Sequence, residues 1–225
     1  MPPPAAACPN PYFPLEDGLR LTYRAGRSSE MTLSTQGVTS GPDGLKGQMA
    51  VELKGKRGET EAFCTSEGVR TGLGGLEGSL LSASGMQVEV VSAEGVVVPS
   101  HMAMGSTWRN SLSVKMQPPA GSKMGAGMII ATTFDKEATV VGEEEVTVSA
   151  GTFKALKVKN TTTARASRPG AQGRKVDSII WFAPGIGIIK VATGDSTDLE
   201  LLKVERPAAA ATKAPSGAKK GSKKL

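Results

Sequence analysis

The stretch Val146 to Val191 constrains the fold most, because it carries strand, turn and strand signals in close succession. It reads VTVSAGTFKALKVKN, then a polar excursion, then SIIWFAPGIGIIKV. Ser149-Ala150-Gly151 breaks the first run, and glycine at a strand end marks a tight turn or bulge, since it takes φ > 0 without steric cost. After the break, Phe153, Ala155 or Leu156, and Val158 interleave with Lys154, Lys157 and Lys159, close to the period of two of a half-buried strand. Ile179 to Phe182 is a bulky β-favouring run. Ala183-Pro184-Gly185 then predicts a type II turn, with proline fixing φ at its second position and glycine supplying φ > 0 at its third. Ile186 to Val191 resumes as a strand. Trp181 and Phe182 read either as core packing or as the wall of an apolar pocket.

The same grammar runs through the chain. Leu19, Leu21 and Tyr23 alternate with Arg20, Thr22 and Arg24, and Met49, Val51 and Leu53 alternate with Gln48, Glu52 and Lys54. Further strands are expected over 31–34, 59–65, 86–91, 112–116, 128–134, 138–142 and 197–204. Gly41-Pro42-Asp43-Gly44 is a turn signal. The Gly/Ser-rich run 71–85 reads as a loop or an irregular edge strand, and Glu143-Glu144-Glu145 as a solvated turn. Residues 160–175 read as a polar, basic hairpin end. No run at 3.6 spacing lasts more than two turns, and the chain holds 28 glycines. The expectation is an all-β chain of short antiparallel strands.

Three segments follow: an irregular leader over 1–11, a single β domain over 12–206, and a Lys/Ala-rich tail over 207–225 expected to be disordered. The net charge of +6 is misleading, because five lysines and no acid lie in the tail, leaving +1 for the rest. A nearly neutral body with few aromatic side chains argues against specific nucleic-acid binding. The tail suits weak, salt-sensitive contact with anionic polymers or a membrane. The chain has one histidine, His101, and two cysteines, Cys8 and Cys64, which excludes the usual Cys/His zinc sites. No metal or cofactor is expected. Met102 and Met104 beside His101 read as core filling before they read as a soft-metal site. No catalytic residue is assigned: no nucleophile motif accompanies His101, and pairing Asp177 with Asp195 or Asp198 has nothing in the sequence to set its distance.

Ala5-Ala6-Ala7-Cys8 resembles the end of a bacterial lipoprotein signal, in which the cysteine becomes the lipidated first residue, although the basic and apolar segments of such a signal are missing. Cys8 is therefore the candidate lipidation site, with an ordinary thiol or a bridge to Cys64 as the alternatives.

Tyr12-Phe13-Pro14-Leu15 with Gly18 and Tyr23, then Gly105 and Trp108, then Val148-Ser149-Ala150-Gly151-Thr152-Phe153, then Trp181-Phe182-Ala183-Pro184-Gly185-Ile186-Gly187 occur in this order. With them the chain resembles the TapB-like bacterial proteins, β-rich domains of unknown function often carried on exported or lipid-anchored chains. The likeness covers roughly residues 12–206. It implies an open, strongly curved antiparallel sheet or half-barrel like that of the lipoprotein-carrier proteins, wrapped around an apolar hollow. It brings no catalytic residues. It implies an extracytoplasmic protein, periplasmic or outer-membrane-associated, with a cytoplasmic location as the alternative. Two roles follow: a non-catalytic envelope protein that meets another envelope protein, or a binder of a hydrophobic ligand such as a lipid or lipoprotein. In the second role Trp108, Phe153, Trp181 and Phe182 are the candidate lining residues.

Overall fold

The computed structural model describes residues 10–119, 128–167 and 170–207, except the side chains of Leu76 and Glu77. Cys8 and the lysine tail beyond Pro207 lie outside these residues.

Among the described residues, thirteen strands and one helix follow in order: β1 (Arg20–Ala25), β2 (Ser29–Gly41), β3 (Gly44–Leu53), β4 (Lys56–Cys64), β5 (Gly68–Thr71), α1 (Leu76–Ala83), β6 (Gln87–Gly95), β7 (Val98–Pro99), β8 (Thr107–Gln117), β9 (Ile130–Val148), β10 (Gly151–Ala166), β11 (Arg174–Ala183), β12 (Gly187–Thr193) and β13 (Ser196–Glu205). They form one antiparallel sheet in the order β6-β8-β9-β10-β11-β12-β13-β1-β2-β3-β4-β5-β7. The sheet is not closed into a barrel by backbone pairing. It nevertheless curls far round. Its two edge strands, β6 and β7, are separated in sequence only by Val96 and Val97. Side chains of β8 hold that link: Trp108 Nε1 donates to the Val97 carbonyl at 3.0 Å, and Asn110 Nδ2 to the Val96 carbonyl at 3.3 Å.

The run 71–85 is not a loop or an edge strand. Part of it forms α1, which sits inside the curl. Leu80 and Ala83 pack against the main core with Tyr23, Met31 and Val51. Leu81 packs on the other wing, against Leu112, Val114 and Met116. The helix comes close because β4 offers Gly58, where a Cβ would stand 2.7 Å from the Ser79 carbonyl oxygen. The sequence pattern hides this helix because it is short and buried from more than one side, so it has no polar stripe.

Two further expectations change. The strands expected over 128–134 and 138–142 are not successive but merge into the single β9, which begins at Ile130, and Glu143 to Glu145 continue it instead of turning. A bulge opposite Lys157/Val158 absorbs the irregularity that Gly142 signals. The extra residue, Val141, reverses the alternation, so Glu144, Val146 and Val148 stand on the face opposite Lys136, Ala138 and Val140. The tip of the β9–β10 hairpin then bends to β13. Ala150 N–H donates to the Leu201 carbonyl, and Ser149 donates through its backbone and hydroxyl to Glu200 Oε1 at 3.0 and 2.8 Å. Those bonds hold the Glu200 carboxyl below the usual carboxylate range.

The remaining turns follow their chemistry. Gly151 (φ +139°) and Gly185 (φ +75°) take the left-handed region that the sequence requires of them. Tyr23 anchors the centre of the sheet. It is almost wholly buried, its hydroxyl donates to the Ile188 carbonyl at 2.8 Å, and burial pushes its phenol far up.

Candidate functional site

The curl encloses a cavity of about 430 Å³. Every strand from β1 to β5 and from β8 to β13 lines it, so it is the inside of the sheet and not a gap between two elements. Along β11 the lining runs Val176, Ser178, Ile180, Phe182, the alternate residues that face inward. Val176 is exposed, as is Asp198 across the opening on β13, and they mark the mouth. Thr193 beside them donates to Asp198 Oδ2 at 2.6 Å. Phe182 is buried and marks the deep end.

The deep end is built by two of the motifs singled out in the sequence. Phe13 and Pro14 line it from one side and Ile186, Gly187 and Ile188 from the other. The Ala183–Gly187 turn holds the N-terminal segment directly, with Gly185 N–H donating to the Pro11 carbonyl at 2.6 Å. Arg206 ties the same turn to Glu16, donating to the Gly185 carbonyl and, at 3.0 Å, to Glu16 Oε2. Asn10, wholly buried, donates through Nδ2 to the Val98 and Pro99 carbonyls and accepts from Tyr12 N–H. It thus clamps the leader to the edge strand β7. A lone asparagine in an Ala/Pro-rich leader carries no periodic signal, and sequence reasoning passed over it.

The four candidate lining residues separate into two pairs. Trp108 and Phe182 border the cavity. Phe153 and Trp181 do not line it. Phe153 packs at the bent hairpin tip in the main core. Trp181 stands between Ile180 and Phe182 and therefore points to the opposite face. There its indole N–H donates to Glu144 Oε1 at 2.6 Å, while the Lys157 and Lys190 ammonium groups lie 5.6 and 5.2 Å from the ring centroid. These are cation–π contacts. The indole N–H first, and Lys157 after it, hold the Glu144 carboxyl below its ordinary range.

The cavity wall is apolar for most of its area, with Leu19, Leu21, Tyr23, Val158 and Ile188 among the deeper residues. Nearer the mouth it is polar. Asn110, Lys136 and Thr162 are direct cross-strand partners on β8, β9 and β10, and Asn160 faces Ser178 across β10 and β11. All five line the cavity. Lys136 is buried, and its Nζ donates to the Gly74 carbonyl at 3.2 Å. Of the candidate chemical groups, Asp198 borders the cavity at its mouth, while Asp177, Asp195 and His101 do not line it. Asp177 accepts from Thr161, and exposed His101 lies 3.0 Å from the Ser100 hydroxyl through Nδ1. Among the described residues, no group of three His, Cys, Asp or Glu side chains converges on a point. No helix there is long and apolar enough to cross a membrane.

The DUF3108-like family matches residues 49–198, two thirds of the sequence. The chain belongs to that family. This DUF3108-like chain also shares its fold with two solved structures. One is a protein of Bacteroides fragilis NCTC 9343, described as exported and with a YmcC-like fold. It is 17% identical with a TM-score of 0.59, and the match covers 90% of this chain and all of that one. The other, of Parabacteroides distasonis ATCC 8503, is described as a lipoprotein. It is 14% identical with a TM-score of 0.56, covering 89% of this chain and 99% of that one. At these identities the likeness is one of fold. No curated protein matches the DUF3108-like sequence.

Proposed function

We propose that the chain is a non-catalytic extracytoplasmic protein of the bacterial envelope that holds one hydrophobic ligand inside its curved sheet. The observation that carries this reading is the 430 Å³ cavity, whose deep wall is apolar and whose mouth reaches solvent at Val176 and Asp198. Its size falls within the roughly 300–1,000 Å³ of sites that take a single small ligand. It suits one chain of an acyl lipid and not a bundle of them. Trp108 and Phe182 would be aromatic contacts of that ligand, beside Phe13 and Tyr23 on the same wall.

Two observations support the location. The structural neighbours are described as exported and as a lipoprotein. Cys64 is disulfide-bonded, and disulfides persist in oxidising compartments. Lipid at Cys8 is compatible with that location but not with every bonding pattern. The chain has two cysteines, so an intramolecular bridge from Cys64 consumes Cys8 and leaves no sulfur for a thioether. The narrower TapB-like assignment within the family rests on the motifs quoted above.

The test is purification from the native host without detergent, followed by extraction and native mass spectrometry. A lipid-sized adduct in stoichiometric amount is expected, lost on extraction and regained on adding the extract. A reproducibly ligand-free protein that takes up nothing from the host's total lipid would refute the reading.

A further inference from the structure

The geometry points to the projecting end of the β8–β11 wing, beside the cavity mouth, as a docking surface for a bilayer that carries anionic lipid. This contact is separate from whatever the cavity holds, and three observations carry it.

The first is shape. The ladder between β8 and β9 runs on past Asn110 and Lys136, which are level with the mouth, to Met116 and Ile130, six positions further. At about 3.3 Å per residue that is roughly 20 Å of sheet. β12 does not follow it, because it pairs β11 only as far as Ile179. The wing therefore stands out past the mouth, and Arg174 to Ser178 form a free edge along it among the described residues.

The second is an apolar tip. Met128 and Ile129, just before β9, are 44% and 64% exposed. Ile130 is the first residue of β9 to pack on the wing's own core, so the two before it lie beyond that core's reach. The end of β10 is laid beside them, with Ser167 N–H donating to the Ala131 carbonyl at 2.8 Å. Val176 adds an exposed apolar side chain at the rim of the mouth.

The third is charge. Residues 111–134 and 162–176, the two hairpin ends of the wing, hold six lysines and arginines and no acid. Lys115 pairs with Glu89 at 3.1 Å and Arg165 with Asp135 at 2.7 Å. Arg174 and Lys175 are exposed and form no ion pair among the described residues. By strand alternation Arg174 shares the inward face of Val176, and Lys175 takes the other face. Apolar side chains flanked by cations are the make-up of a surface that settles between head groups and acyl chains, and an anionic leaflet draws the cations to it. An acidic protein would meet the cations but offer Met128 and Ile129 no apolar phase to enter. Docked this way, the protein turns its mouth to the bilayer, which gives a lipid a short path into the cavity.

The test is co-sedimentation of the full chain with sucrose-loaded vesicles, made of phosphatidylcholine alone or of equimolar phosphatidylcholine and phosphatidylglycerol. Binding to the anionic vesicles is expected at low salt, with little to phosphatidylcholine alone. It should be lost at about 1 M salt, where the screening length falls to roughly 3 Å. Arg174→Ala combined with Lys175→Ala should lower partitioning roughly 25-fold, about fivefold for each cation removed. Ile129→Ser should lower it about tenfold, the value of taking one aliphatic side chain out of water. All three side chains are exposed; should the double variant fail to fold, Ile129→Ser decides alone. Absence of binding to the anionic vesicles overturns the docking surface. Retention on immobilised poly-glutamate but not on vesicles also overturns it, in favour of an acidic protein partner. Undiminished binding of both variants overturns the assignment to this end and moves it to the lysine tail, which every variant keeps. Each of these failures leaves the ligand-holding reading standing, since vesicle binding needs no filled cavity.

Discussion

Ile180→Trp asks whether the cavity is a space the fold keeps or a gap its own side chains can close. Ile180 sits mid-sheet, flanked in the ladder by Val158 and Val191, yet it is only half-buried, because it faces the hollow. If the hollow is empty in the unliganded protein, an indole enters it without displacing anything. At about 25 cal/mol per Å² of apolar surface removed from water, the gain over isoleucine is on the order of 1–2 kcal/mol. If the sheet packs onto itself instead, the same change overpacks a core and costs about 1–3 kcal/mol. The two cases differ in sign. In a chain of this size each kcal/mol moves the melting temperature by about 2–4 °C. Calorimetry on delipidated protein should therefore show a melting temperature unchanged or raised by a few degrees, with ligand uptake lost. A fall of more than about 5 °C, with uptake retained, would refute the reasoning that the space is native.

Two other perturbations test the frame around the cavity. Gly44→Ala should lose about 3 kcal/mol or more, because a Cβ there would lie 1.9 Å from the Cys64 carbonyl oxygen at φ +130°. Gly55→Ala, at φ +72° with nothing within 4 Å, should lose only about 1–2 kcal/mol. Urea denaturation of both reads the difference, and equal losses would show that the β3–β4 register does not press on Gly44. The Glu144–Trp181 pair predicts an acid transition. The folded state holds the Glu144 carboxyl below its ordinary value of 4.5. The pair's contribution is therefore present above the unfolded value and is lost as pH falls through the folded one. Trp181 emission, isolated in a Trp108→Phe background, should shift below pH 4.5, and Glu144→Gln should abolish that shift.

The strands were legible wherever one face is wet. The alternation around Tyr23 and around Val51 predicts β1 and β3 with their burial, and the Ala183-Pro184-Gly185 turn is where its chemistry puts it. What failed to show was what the curl hides. α1 carries leucines on more than one side because both wings of the sheet touch it, and helical periodicity depends on a wet face that this helix lacks. Glu143 to Glu145 looked like a turn because carboxylates in a row suggest solvent. The bulge at Val141 instead puts Glu144 against Trp181 on the outer face. The same alternation that made β11 recognisable also separates Trp181 from Phe182. On a regular strand two adjacent side chains point to opposite faces, so period two alone puts only one of Trp181 and Phe182 on the cavity side.

The motif that marks the chain and the polar row of the cavity wall lie at opposite ends of the cavity, and the reason is physical. The Ala183–Gly187 turn must pass close to the Tyr12 carbonyl, since a Cβ on Gly187 would stand 3.3 Å from it. That approach restricts residue choice tightly, and tight local restriction produces a legible sequence motif. Asn110, Lys136, Asn160, Thr162 and Ser178 come from four strands and lie next to one another only after β8 to β11 have paired. Each looks in sequence like an ordinary polar residue of a strand. Only its inward parity, set in β9 by the bulge at Val141, turns it toward the cavity. A one-residue shift of that bulge beyond Lys136 would send its ammonium group to solvent and remove the cation from the row. The fold's closed end is thus written locally, and its chemistry is written in the register.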